Sequence, residues 1–174
     1  MKWHRVIALT VLVACSHTAR EAIPPPDGRH FSLTSPAFAD HGTIPPRFTC
    51  DGRNVSPPLA WNGAPGGDRL LLVLSDPDAP GGPFIHWVLA LPPGTTEIAE
   101  GPVPGGSAQG RNDFGHVRYD GPCPPRGDPA HHYVFTLFAV RGRRPADLSA
   151  IPDTLRRLER RTDATATLTG MYGR

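Results

Sequence analysis

Backbone breakers narrow the fold more than any other feature: 22 prolines and 19 glycines are spread through 174 residues. Proline removes a backbone donor and collides with the preceding turn of a helix, so a chain broken this often is a poor candidate for a helix bundle. An apolar fraction of 39% and three tryptophans supply the core that disordered Pro/Gly-rich chains lack. The length suits one domain. The expectation is a turn-rich, all-β domain. A formal net charge of only +2 leaves no large field for gripping a nucleic-acid backbone, so nucleic acid is not an expected partner. Lys2 is the single lysine, and seven of the arginines fall between Arg141 and Arg161, where a solvated helix face accounts for them.

Residues 1–15 read as an address. Lys2 and Arg5 precede an apolar run from Val6 to Ala14, a length that suits a signal-peptide core and is too short to cross a bilayer. Leu12-Val13-Ala14-Cys15 looks like a bacterial lipobox, which makes Cys15 the expected lipidation site. The implied location is exported and lipid-anchored to the envelope, at the outer membrane facing the periplasm. Residues 16–30, with Pro24-Pro25-Pro26, read as a spacer, and the domain is expected over 31–174. Setting Cys15 aside leaves Cys50 and Cys123, both in Gly/Pro turn contexts. They are read as one disulfide, worth up to about 4.5 kcal/mol on the chain-entropy model, or as two free thiols.

Short runs with period-2 or fully apolar patterns predict strands at Phe31–Leu33, Arg47–Cys50, Leu59–Trp61, Leu70–Ser75, Ile85–Leu91 and Tyr133–Val140. The Asp76–Pro83 segment is too proline-rich to join a ladder and must be a loop. The interval from Pro92 to Pro129 carries no long strand, and ordered loops of that size are more often functional than idle. Leu148, Ile151, Leu155 and Leu158 predict an amphipathic helix over Asp147–Arg161, and Ala164–Tyr172 a final strand or extended tail.

Strand alternation puts His86 on a face with Phe84, Val88 and Ala90, opposite Ile85, Trp87, Leu89 and Leu91. The same arithmetic groups His131 with Tyr133 and Phe135, opposite His132 and Val134. Singly, each of these is ordinary: a histidine among apolar neighbours is usually a hydrogen-bonded core residue, and an aspartate such as Asp76 or Asp78 commonly ends a strand. If Asp76, His86, His131 and Tyr133 converge, they build a pocket with an acceptor that fixes one imidazole and donors that hold an anion. Backbone N–H groups in Gly110–Gly115 are candidates for further donors, in the manner of an anion nest.

Several motifs then occur in order: Phe48-Thr49-Cys50-Asp51-Gly52, Asn54-Val55-Ser56-Pro57-Pro58-Leu59-Ala60-Trp61, Asp76-Pro77-Asp78-Ala79-Pro80, His86-Trp87-Val88, Asn112-Asp113-Phe114-Gly115, Gly121-Pro122-Cys123-Pro124-Pro125, and His131 with Tyr133. On these the chain resembles the phosphatidylethanolamine-binding protein family, in its bacterial Raf-kinase-inhibitor-like branch. The resemblance implies a two-sheet antiparallel Greek-key β-sandwich with a C-terminal helical segment. It also implies a small anion pocket for phosphate or phosphoethanolamine groups, formed by Asp76, His86, His131 and Tyr133, with Gly121 and Pro122 on its rim. His132 stands where the family usually has arginine; facing away from His131, it is expected to affect structure more than ligand contact.

The leading expectation is a non-catalytic binding module without cofactor or metal, reaching the membrane through its lipid anchor. The resemblance also allows a protease or kinase inhibitor that acts by loop docking. An enzyme would use Asp76 with His86 as oriented base, or Cys123 with His131 as nucleophile pair, which a disulfide would abolish. A metal site would need two histidines and Asp76, and the tight ligand spacings of zinc proteins are missing.

Overall fold

The computed structural model describes residues 31–65, 69–140 and 162–174. The expected leader with Cys15, the spacer at 16–30 and the helix at 147–161 lie outside the described residues. The strands are β1 (Ser32–Thr34), β2 (Gly42–Thr43), β3 (Leu59–Asn62), β4 (Arg69–Asp76), β5 (Phe84–Leu91), β6 (Glu97–Ile98), β7 (Ala108–Gln109), β8 (His131–Val140) and β9 (Thr162–Tyr172). They form a three-stranded sheet, β1-β3-β6, and a six-stranded sheet, β2-β9-β8-β4-β5-β7.

One core joins the two sheets. Leu33, Leu59, Trp61 and Ile98 of the small sheet pack with Leu72, Leu74, Trp87, Leu89, Phe135 and Leu137 of the large one. Each such side chain contributes about 1.5–3 kcal/mol relative to an exposed position. The apolar run of β4 is buried on both faces, since Leu71 and Val73 join Ile85 and Val88 in a second cluster. β8 alternates buried and half-buried residues along its whole length, as its sequence pattern predicts. Ala164–Tyr172 is a strand: β9 pairs antiparallel with β8 from His131↔Tyr172 to Val140↔Thr162.

Three expectations need correction. Arg47–Cys50 is not a strand: Pro46–Phe48 forms a 3₁₀ turn, because proline's fixed φ suits the start of a turn and Thr49 Oγ1 closes it by donating to the Pro46 carbonyl at 2.8 Å. The sheets are not wholly antiparallel, since β2 runs parallel to β9. The third correction bears on the site. The β4–β5 ladder pairs Leu74 with Trp87 and then Ser75 with Ile85, which leaves His86 as the extra residue of a bulge. A bulge shifts the phase of alternation. Ile85 and Val88 therefore share the second cluster, while His86 turns with Trp87 toward the side of Tyr133, not with Val88 as strict alternation predicts.

Candidate functional site

At one end of the large sheet, β4, β5 and β8 bring together Asp76, His86, His131 and Tyr133, all buried. Asp76 is the last residue of β4, and its carboxylate is used at both oxygens. Oδ1 accepts the Asp78 N–H at 2.9 Å, closing the turn after the strand, and Oδ2 lies 2.9 Å from His131 Nδ1. A carboxylate at that distance accepts the imidazole proton, so His131 donates from Nδ1. Asp128 stands further off, 3.8 Å from His131 Nε2.

His86 is held differently. Its Nδ1 lies 2.9 Å from the Asp120 carbonyl and 3.1 Å from the Gly121 carbonyl. Carbonyl oxygens only accept, so Nδ1 carries the proton. Burial pushes the His86 imidazole below its usual range, against the opposing pull of these carbonyls and the Asp76 carboxylate. Tyr133 is fully buried between the two histidines, its ring edge-on to His86 at 5.3 Å and stacked on His131 at 6.4 Å. Desolvation and the Asp76 carboxylate beside it push the phenol far above its ordinary value, so it keeps its proton. Yet Tyr133 Oη makes no hydrogen bond of good geometry among the described residues, although the Asp76 carboxylate and the Cys123 main chain lie close enough to act on it. An unpaired buried donor costs about 1–3 kcal/mol; the Ser56 and Ser107 hydroxyls share that state among the described residues, and Tyr133 differs from them in standing between two imidazoles.

The long loop after β5 supports His86 through Asn112 and Asp120. Asn112, unassigned by sequence reasoning except as part of a motif, donates from Nδ2 to the His86 carbonyl at 3.1 Å and to Asp120 Oδ2 at 2.7 Å. Asp120 also receives His116 at 2.8 Å and Arg118 at 3.1 Å. Burial raises its carboxyl, but these three partners outweigh burial and leave it below its ordinary value. Four of the six candidate N–H groups for an anion nest are spent within the fold. The N–H groups of Gly110, Asn112, Asp113 and Gly115 are already bonded to the carbonyls of Val88, His116, Ile85 and Asn112. Asn112 was within reach of sequence reasoning, because an amide flanked by glycine-punctuated loop is a natural backbone cross-linker.

Gly121 and Pro122 are buried beside the site. Gly121 has to be glycine: a Cβ there would stand 2.1 Å from the Phe48 carbonyl oxygen, and its N–H donates to Asn54 Oδ1 at 2.7 Å. Cys50 and Cys123 form a disulfide with Cα atoms 5.4 Å apart, tying this loop to the 3₁₀ turn. Phe114 and Val117 are the exposed large hydrophobics among the described residues, and the Phe114 ring covers His86 at 5.2 Å. Two open clefts, of about 290 and 330 Å³, are lined by none of the four central residues. His132 faces away from His131 as expected, with Nδ1 2.7 Å from Asp78 Oδ2 and its N–H on the same oxygen.

The two-sheet β fold thus gathers two imidazoles, a phenol and a carboxylate at one sheet end, on strand termini and beside one long loop. The chain belongs to the phosphatidylethanolamine-binding protein family, whose model matches residues 34–173. The UPF0098 protein of Methanothermobacter thermautotrophicus is 43% identical over 151 residues, covering 82% of this chain and 99% of the relative. A Mycobacterium tuberculosis protein named as a lipoprotein, LppC, is 43% identical over 122 residues, covering 70% of this chain and 61% of its own length. The chain spans about half the length, 55%, of the mycobacterial UPF0098 relatives it matches. The crystal structure of E. coli YbcL, described as a new member of the mammalian PEBP family, superposes with a TM-score of 0.76 at 32% identity. That match covers 83% of this chain and 98% of YbcL.

Proposed function

We propose that the chain is a non-catalytic binding module that captures a small oxyanion, a phosphate-like or phospholipid head group, at His86, His131 and Tyr133. Asp76 orients His131, and Gly121 and Pro122 form the rim. The observation that carries this reading is the Tyr133 hydroxyl, a buried phenol that keeps its proton and, standing between two imidazoles, makes no hydrogen bond of good geometry among the described residues. An oxyanion would supply the well-placed acceptor that the hydroxyl lacks. The Cys50–Cys123 bond removes the thiol that a Cys/His hydrolase would need, which favours binding over catalysis. The Greek-key connectivity is carried over from the family, as is the Raf-kinase-inhibitor-like assignment. Export and lipid anchoring through Cys15 rest on the lipobox and find support in the lipoprotein name of LppC.

Titration of the protein with phosphoethanolamine, followed by NMR, tests the reading. The expected result is saturable shifts centred on His86, His131 and Tyr133, and affinity about tenfold weaker in Tyr133→Phe. No shift at millimolar ligand removes the proposal. A second reading, inhibition of a protease or kinase by loop docking, is favoured by one observation: Phe114 and Val117 stand 43% and 53% exposed on the loop over His86. It predicts that Phe114→Ser leaves the phosphoethanolamine shifts in place while abolishing inhibition.

A further inference from the structure

The two histidines of the site differ in what they can offer a ligand. Both hydrogen bonds of His86 use Nδ1, and both acceptors are main-chain carbonyls, so the tautomer is fixed with its proton turned inward. In the neutral ring Nε2 then bears a lone pair. A lone pair facing an oxyanion repels it; contact between them requires a proton. The charges around His86 sharpen the requirement. Asp76 faces it from β4, and His131, bonded to Asp76, from β8 beside the Tyr133 phenol. From the long loop comes Asp120, whose two oxygens already engage His116 and Arg118. Asp113 is bonded to the Ile85 N–H at 2.6 Å, and Asp128 sits beyond His131. Among the described residues no arginine or lysine pairs with His86, His131 or Tyr133.

We infer that the site takes up its oxyanion together with one proton, held between His86 Nε2 and a ligand oxygen, so that its ligand class is a phosphate mono- or diester bound in a proton-coupled manner. The inference rests on the anion-pocket reading above. The proton comes from solvent, and no covalent bond is made or broken beyond its transfer. With a phosphomonoester, whose second ionisation lies near about 6, the bound complex holds one proton more than dianion and neutral imidazole apart. A phosphodiester has no titratable proton near neutrality, so the added proton resides on His86. The Tyr133 hydroxyl donates in both cases.

The test is isothermal calorimetry on the full chain, in paired buffers of different ionisation enthalpy, with phosphoethanolamine as monoester and glycerophosphoethanolamine as the deacylated lipid head group. Between pH 8.5 and 7, uptake of about one proton per bound ligand is expected, with affinity rising about tenfold per unit fall in pH. For the diester, ¹⁵N spectra should show His86 Nε2 gaining its proton on binding while Nδ1 keeps its own. Proton uptake with either compound sustains the inference, and which one binds separates a free phosphomonoester from a lipid head group as the source. Binding with no net uptake and no pH dependence overturns the inference and leaves the pocket standing. No binding of either compound between pH 5.5 and 8.5 overturns the pocket as well.

Discussion

The two walls of the site are built by different means. On the strand wall, Asp76, His131 and Tyr133 project from β4 and β8, neighbours along a ladder that runs from Arg69↔Val140 to Ser75↔Val134. Their positions follow from sheet register, and the Asp76–His131 bond adds orientation to side chains the sheet has already placed. On the loop wall, His86 is fixed by carbonyls of a segment with little regular structure. That segment is held by cross-links: the Cys50–Cys123 bond, Asn54 to Gly121 at 2.7 Å, and Tyr119 Oη to the Phe48 carbonyl at 2.7 Å. A ladder distributes its stability over many bonds, whereas a stapled loop concentrates it in a few. The loop wall is therefore the part of the site that single changes should disturb.

The double replacement Cys50→Ser with Cys123→Ser tests that difference most severely. It opens a loop spanning 73 residues, and the expected loss is up to about 4.5 kcal/mol, read from denaturant midpoints. Below the transition, the imidazole signals of His86 should shift while those of His131 stay close to their wild-type positions. Equal displacement of both would mean that the two walls are one mechanical unit.

Asp76→Ala is the matching attack on the strand wall. It leaves the His131 Nδ1–H and the Asp78 N–H without their acceptor, and one or both of these buried or half-buried donors must find another partner. The expected cost is about 2–3 kcal/mol. The ladder should survive, so amide exchange along β4 and β8 should remain protected while exchange at Asp78 rises sharply. Loss of protection along the whole of β8 would show that the carboxylate, and not register, holds this wall.

Legibility in the sequence divides along the same line. Alternation along His131–Val140 correctly put His131 and Tyr133 on one buried face and His132 on the other, because every second residue of a regular strand shares a side. It failed at His86, where the bulge opposite Leu74 and Ser75 adds one residue and reverses the phase. No apolar pattern announces a bulge, which is decided by how two ladders fit a twisted sheet. The Arg47–Cys50 segment shows another limit: its half-apolar pattern suits a strand, but Pro45 and Pro46 set φ for a turn. The support by Asn112, Asp120 and Gly121 runs through main-chain groups, and these leave little mark on side-chain patterns. The wide-spaced motifs marked which segments matter without stating that His86 would be held by carbonyls.

The smallest expected effect separates two bonds of the same kind. His131–Asp76 and His132–Asp78 are adjacent in sequence, at 2.9 and 2.7 Å, but the first pair is buried and the second has side chains 43% and 44% exposed. The His132 N–H, and after it the imidazole, hold the Asp78 carboxyl below its ordinary value. A carboxyl depressed in the folded state stabilises the fold above its unfolded pKa of about 4, and that contribution disappears as pH falls through the lower folded value. The stability difference between the wild type and Asp78→Asn should therefore be constant near neutrality and shrink on acidification from about pH 5 toward pH 3. Because water and salt reach the pair, the whole effect should stay below about 1 kcal/mol and shrink further at high ionic strength. A difference that persists unchanged at pH 3 would mean that a neutral Asp78 serves His132 equally well, and that the exposed pair owes nothing to charge.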